Sequence, residues 1–125
     1  MLIFNNLTKV YDARQSGVKS VVALDSISFA VQPGEFLSVV GRSGAGKTTL
    51  FKMMLVEEKP TTGSILYRDQ NIYKLKQGRL NCLRRSIGAV FQDYKLLPSM
   101  SVRDNIAYVM KVIGASDAES EHDVP

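Results

Sequence analysis

The spacing of apolar positions changes along this chain, and each change marks an element. Residues 2–4 and 7–11 are rich in β-branched and aromatic side chains around the polar pair Asn5-Asn6, which predicts an early strand or hairpin. Residues 12–20 carry Arg14, Gln15, Ser16, Gly17 and Lys19 with little apolar pattern, and read as a loop. Ile27, Phe29 and Val31 alternate with polar or small neighbours, as in a half-buried strand. Pro33-Gly34 then turns the chain into residues 36–40, a nearly continuous apolar run of the kind an interior strand has. From 48 to 56 the period becomes helical, with Leu50, Met53 and Met54 on one face and Phe51 and Leu55 widening it, and Pro60 ends the pattern. Thr61-Thr62-Gly63 turns into an alternating segment at 64–68, Asp69-Gln70-Asn71 makes a polar bend, and Leu80 and Leu83 fit a short amphipathic helix to about Arg85. Residues 87–91 are again almost wholly apolar and predict a second interior strand near the first. Ser101 followed by Asp104 reads as a helix cap, Val102, Ile106, Val109, Met110 and Ile113 form a helical stripe, and Gly114 is placed to stop it. Asp117 is a candidate cap for another helix. The sum is an α/β fold: a three-layer core with parallel interior strands, preceded by an antiparallel β subdomain.

Composition leaves that picture standing. The 125 residues are 45% hydrophobic and 22% charged, ordinary for one globular domain and far from disordered, collagenous or disulfide-rich chains. No apolar run is long enough to span a bilayer, the N-terminus lacks the features of a secretory signal, and the single cysteine, Cys82, has no internal partner. An intracellular, soluble chain is expected. The net charge of +4 draws on Lys74, Lys76, Arg79, Arg84 and Arg85, offset by an acidic tail. That basic cluster reads as a solvated face in preference to a nucleic-acid surface, because no aromatic residues interleave with it.

Chemistry enters with the stretch Gly41-Arg42-Ser43-Gly44-Ala45-Gly46-Lys47-Thr48-Thr49, which satisfies G-x-x-x-x-G-K-S/T between an apolar run and a helical one. Glycines at 41, 44 and 46 allow a backbone cup of N–H donors, to which Ser43 and Ala45 contribute their main chain, and the following helix adds its unpaired N–H groups. Lys47 suits the β- and γ-phosphates of a nucleotide, Thr48 a bridging Mg²⁺, and Thr49 the α-phosphate. The rival reading is a glycine-rich turn with an incidental lysine. Gln92 follows the second apolar run, at the strand end where open α/β sheets bind ligands, or is simply a polar strand terminus.

Taken in order, Tyr11, the loop from Gly41 to Thr49, Pro60-Thr61-Thr62-Gly63 and Val90-Phe91-Gln92-Asp93-Tyr94-Lys95-Leu96-Leu97-Pro98 resemble the first half of an ATP-binding-cassette (ABC) ATPase. Within that family the chain is most similar to the bacterial cell-division ATPases called FtsE, with lipoprotein-releasing and macrolide-export ATPases next. The resemblance implies that residues 1–125 are the N-terminal portion of one nucleotide-binding domain with a P-loop NTPase core, incomplete at the C-terminus, running from the P-loop to the Q-loop and the start of the helical subdomain. It implies ATP and Mg²⁺ as cofactors. Tyr11 would stack on adenine, with simple packing as its alternative, Lys47 and Gln92 would take catalytic roles, and Thr48 and Gln92 would serve the metal. Partners implied are an integral membrane subunit, an FtsX-like permease, docking at the loop after Gln92, and a second nucleotide-binding domain in a homodimer. Leu96, Leu97 and Pro98 are alternatively a clamp on the domain's own core. Nucleic acid is not among the implied partners, and the location implied is the cytoplasmic face of the cell membrane.

Three family features are missing from these residues: the L-S-G-G-Q signature, an apolar strand ending in Asp-Glu, and the later switch histidine. His122 sits in a polar acidic segment and is not that histidine. The expectation is a chain that binds ATP, hydrolyses it hardly at all, and exposes apolar sheet surface prone to aggregation. A stand-alone nucleotide-binding module without catalysis is the alternative of another class.

Overall fold

A computed structural model of the chain describes residues 1–12, 20–116 and 119. They fall into two compact units, Met1–Arg84 and Arg85–Pro125. Most of the loop expected at 12–20, the cap expected at Asp117, and His122 lie outside the described residues.

The first unit is built on β1 (Leu2–Tyr11), β2 (Val21–Val31), β3 (Thr62–Tyr67) and β4 (Gln70–Asn71), an antiparallel sheet in the order β2-β1-β3-β4. The polar pair Asn5-Asn6 does not break β1 into a hairpin. It forms a bulge: Phe4 faces Phe29 and Leu7 faces Ile27, so β1 carries one residue more than β2 over that span, and Asn6 takes φ 44°. The Asn6 N–H donates to Ser28 Oγ at 2.8 Å, which satisfies the group the bulge removes from the ladder. The extra residue also resets the alternation, so Phe4 and Leu7, three apart, are both buried. Gly63 is where β3 passes this bulge; a Cβ there would lie 2.3 Å from the Asn6 carbonyl oxygen. Arg68 and Asp69, both with positive φ, form the two-residue turn into β4, one residue earlier than the polar bend expected at 69–71.

One helix, α1 (Lys47–Met54), follows the glycine-rich loop and buries Leu50 and Met53 with Phe4, Leu7, Leu24, Ile65 and Ile72 in the core. Each such side chain stabilises the fold by roughly 1.5–3 kcal/mol relative to exposure. The end of α1 is held from the segment beyond β4. The Tyr73 hydroxyl donates to the Met53 carbonyl at 2.8 Å, and Arg84, on α2 (Gln77–Arg85), donates to the carbonyls of Leu55 and Val56. These bonds give the carbonyls at and just beyond the end of α1 side-chain partners, and Arg84 places positive charge at the helix's negative pole. α1 ends at Met54, well before Pro60, and Val56 just beyond it takes a left-handed φ of 57°.

Two sequence expectations need correction. Residues 36–40 and 87–91 are not paired into any strand among the described residues, and Phe36, Val40 and Val90 are 91%, 88% and 95% exposed. An apolar run records a tendency to be buried, but a strand also requires neighbouring backbones to take its N–H and C=O groups. Among the described residues the ladders present are those of the antiparallel sheet.

In the second unit, α3 (Val102–Ile113) has the predicted cap: Ser101 Oγ accepts from the Asp104 N–H at 3.1 Å and donates to the Asp104 carboxylate at 2.6 Å. Gly114, at φ 96°, closes the helix as expected, with its N–H donating to the carbonyls of Met110 and Lys111. The apolar stripe is present but no residue of α3 is buried.

Candidate functional site

The loop between the apolar run at 36–40 and α1 takes the conformation its glycines allow. Gly44 and Gly46 have φ of 78° and 86°, a region that side-chain-bearing residues avoid. Gly46 is constrained twice, because it caps α1 and because a Cβ there would come within 2.2 Å of the Ala23 carbonyl oxygen on β2. The loop thus rests on the sheet through a position only glycine fits. At Gly44 a Cβ would meet nothing within 4 Å, so its left-handed φ and open surroundings are those of a backbone another molecule can approach.

Lys47 opens α1, and its ammonium donates to the carbonyls of Gly41 and Arg42, both at 2.8 Å. The Ala45 N–H closes the same turn onto the Arg42 carbonyl at 3.2 Å. The charge is therefore held against the loop itself, beside the N-terminus of α1. The first helical bond runs from the Leu50 N–H to the Gly46 carbonyl, so the preceding first-turn N–H groups have no acceptor within the helix. Ser43 and Thr48 are exposed and Thr49 half-buried. Donor N–H groups, one ammonium and a hydroxyl suit a polyphosphate with its metal. Among the described residues there is no cluster of three or more His, Cys, Asp or Glu side chains that could hold a metal unaided.

Tyr11 stands at the end of β1, opposite Val21, with 38% of its surface exposed. Its surroundings include residues that the pattern of the sequence did not single out. The Lys9 ammonium lies 4.9 Å from the Tyr11 ring centroid and donates at 2.8 Å to both the Glu58 carboxylate and the Lys59 carbonyl. The hydrogen bond to Lys9 holds the Glu58 carboxyl below its ordinary pKa. Thr61 completes the arrangement: its hydroxyl accepts from the Val10 N–H at 2.9 Å, and its own N–H donates to the Thr8 carbonyl. The one local signal for Lys9 is its spacing, since residues two apart on a strand share a face.

Gln92 belongs to the second unit, where it is exposed in a turn that continues through residues 93–95. Tyr94 and Lys95 have positive φ, and Lys95 pairs with Asp93 at 2.5 Å, which lowers the Asp93 pKa. The loop beyond is shaped by a residue the sequence reading passed over. Asn105 on α3 accepts from the Leu97 N–H at 2.8 Å and donates to the carbonyls of Leu97, Met100 and Ser101. Leu96 is 65% exposed and Leu97 39%, so neither clamps a buried core.

A family model described as ABC transporter matches residues 24–124. The chain is 48% identical over 108 residues to the cell division ATP-binding protein FtsE of Bacillus subtilis (strain 168), covering 86% of this chain and 46% of that protein. It is 39% identical over 121 residues to the methionine import ATP-binding protein MetN of Corynebacterium diphtheriae, covering 97% of this chain and 35% of that one. Among solved structures, the dimeric post-hydrolysis state of the ATP-binding cassette MJ0796 bound to ADP and Pi matches with a TM-score of 0.84 at 28% identity. That match covers 99% of this chain and 54% of the other. The chain thus spans about half the length, or less, of the relatives it matches.

Proposed function

We propose a function for this chain from its family: it belongs to the ABC transporter family, and its fold is that of the family's ATP-binding cassettes. The function is that of an ATP-binding subunit which couples ATP binding and hydrolysis to a membrane complex. The observation that carries the reading is the glycine-rich loop with Gly46 fixed against β2 and the Lys47 ammonium held beside the start of α1. In this reading the N–H groups of residues 43–49 bind the phosphates, Lys47 neutralises their charge, and the Thr48 hydroxyl would hold Mg²⁺, a role the family resemblance also implies for Gln92. The metal, when bound, supplies charge neutralisation across the β- and γ-phosphates. Gln92 also senses the γ-phosphate, and Tyr11 carries adenine.

The cell-division role is the finer proposal. It is supported by the F-Q-D sequence at residues 91–93 and by the FtsE relatives, and its implied partner is an FtsX-like permease at the loop shaped by Asn105. Import of the MetN kind is the second reading, favoured by the identity to those proteins. In either case the protein would act as a dimer of nucleotide-binding domains at the cytoplasmic face of a membrane; no helix among the described residues is long and apolar enough to cross one. Hydrolysis by these residues alone is expected to be negligible, since the sequence has no L-S-G-G-Q and no strand ending in Asp-Glu.

The test is calorimetric titration of the chain with Mg·ATP. Losing one charge-assisted interaction costs roughly 1.5–3 kcal/mol, so Lys47→Ala should weaken binding by about ten- to a hundredfold. Equal affinity for the two proteins would overturn the loop's assignment.

A further inference from the structure

We propose that Lys9 is a positioning residue for base recognition: its ammonium, anchored by Glu58 and the Lys59 carbonyl, covers one face of the Tyr11 ring and leaves the opposite face for the base of the nucleotide. The inference rests on the reading of Tyr11 as the stacking platform, and it adds what fixes that platform and which face it offers.

Four observations carry it. Lys9 and Tyr11 lie two residues apart on β1, and the ammonium is 4.9 Å from the ring centroid, within cation–π range. The Lys9 side chain is only 14% exposed and donates two bonds of 2.8 Å, to Glu58 and to the Lys59 carbonyl. An ammonium has three donor hydrogens; with two taken by these oxygens, the third remains for the ring. Finally, Thr61 bonds the backbone of Val10 through its hydroxyl, so the strand end that bears Tyr11 is held from the same short segment.

The consequence is preorganisation. A tyrosine at a strand end, more than a third exposed, would otherwise lose side-chain freedom when a base stacks on it, and that loss subtracts from affinity. With a cation over one face, the ring is set before the base arrives. The anchoring segment, residues 58–61, is also the chain that leaves α1, whose other end forms the phosphate loop. The base platform and the phosphate site are therefore tied to opposite ends of one short stretch of chain.

Calorimetry on the purified chain with two ligands, Mg·ATP and Mg·tripolyphosphate, separates base from phosphate. Lys9→Met keeps the stem and removes the charge. It should weaken ATP binding about three- to tenfold and leave tripolyphosphate unchanged, and Lys9→Arg, which retains both the donors and the cation, should bind ATP as the parent does. If Lys9→Met binds ATP normally while Tyr11→Ala does not, the role of Lys9 is overturned and the platform reading stands. If Tyr11→Ala itself binds ATP normally, the platform reading fails and the inference with it. Equal weakening of both ligands by Lys9→Met would mean that Lys9 supports the fold alone, which also overturns the proposal. Should Lys9→Met not fold, Glu58→Gln, which removes the anchoring carboxylate, carries the same comparison with the same expected and contrary outcomes.

Discussion

Gly46 meets two demands that no other residue satisfies together. A left-handed φ costs a residue with a Cβ roughly 1–2 kcal/mol, and here the Cβ would in addition press to 2.2 Å from the Ala23 carbonyl oxygen, which is backbone and cannot swing aside. Gly46→Ala should therefore lower the urea midpoint by more than the conformational cost alone. Gly44→Ala, with open space around its Cβ, should lose only about 1–2 kcal/mol and still weaken nucleotide binding. Equal midpoints for the two variants would refute this account of how the loop rests on β2. Lys47 is the other pivotal residue, because the carbonyls it bonds belong to the loop that would receive the phosphates.

Elements differ in how much of them the sequence reveals, and the difference follows the range of the forces involved. The glycine-rich loop is legible because glycine, lysine and threonine at fixed spacing encode a local geometry. The cap of α3 is legible for the same reason, since Ser101 and Asp104 are three residues apart. Ser101→Ala should cost that helix about 1 kcal/mol, seen as faster amide exchange in its first turn; unchanged exchange would mean the cap contributes nothing. The bulge in β1 is not legible. Asn5-Asn6 looks like a turn, and only the pairing with Ser28 makes it a bulge within one strand. Lys9 escapes a sequence reading because its anchor, Glu58, is 49 residues away. The apolar runs at 36–40 and 87–91 have the composition of interior strands but form none, because ladder formation depends on backbones that the run itself does not contain.

At the scale of the whole molecule, the antiparallel sheet and α1 make a compact unit in which both ends of the nucleotide have a candidate contact, Tyr11 for the base and the loop for the phosphates. The chain belongs to the ABC transporter family and matches the fold of an ATP-binding cassette. The second unit, taken by itself, carries Gln92 and a loop templated by Asn105, the region proposed to meet a membrane partner. The most direct test of the central claim is to follow the backbone amide resonances of the isotopically labelled chain while Mg·ATP is added. The account predicts the largest shifts at Gly44, Gly46, Lys47, Thr48 and Thr49, with a second set at Tyr11 and its neighbours, all abolished by Lys47→Ala at the same ligand concentration. Shifts confined to other residues, or none at the loop under conditions where ATP binds, would contradict it.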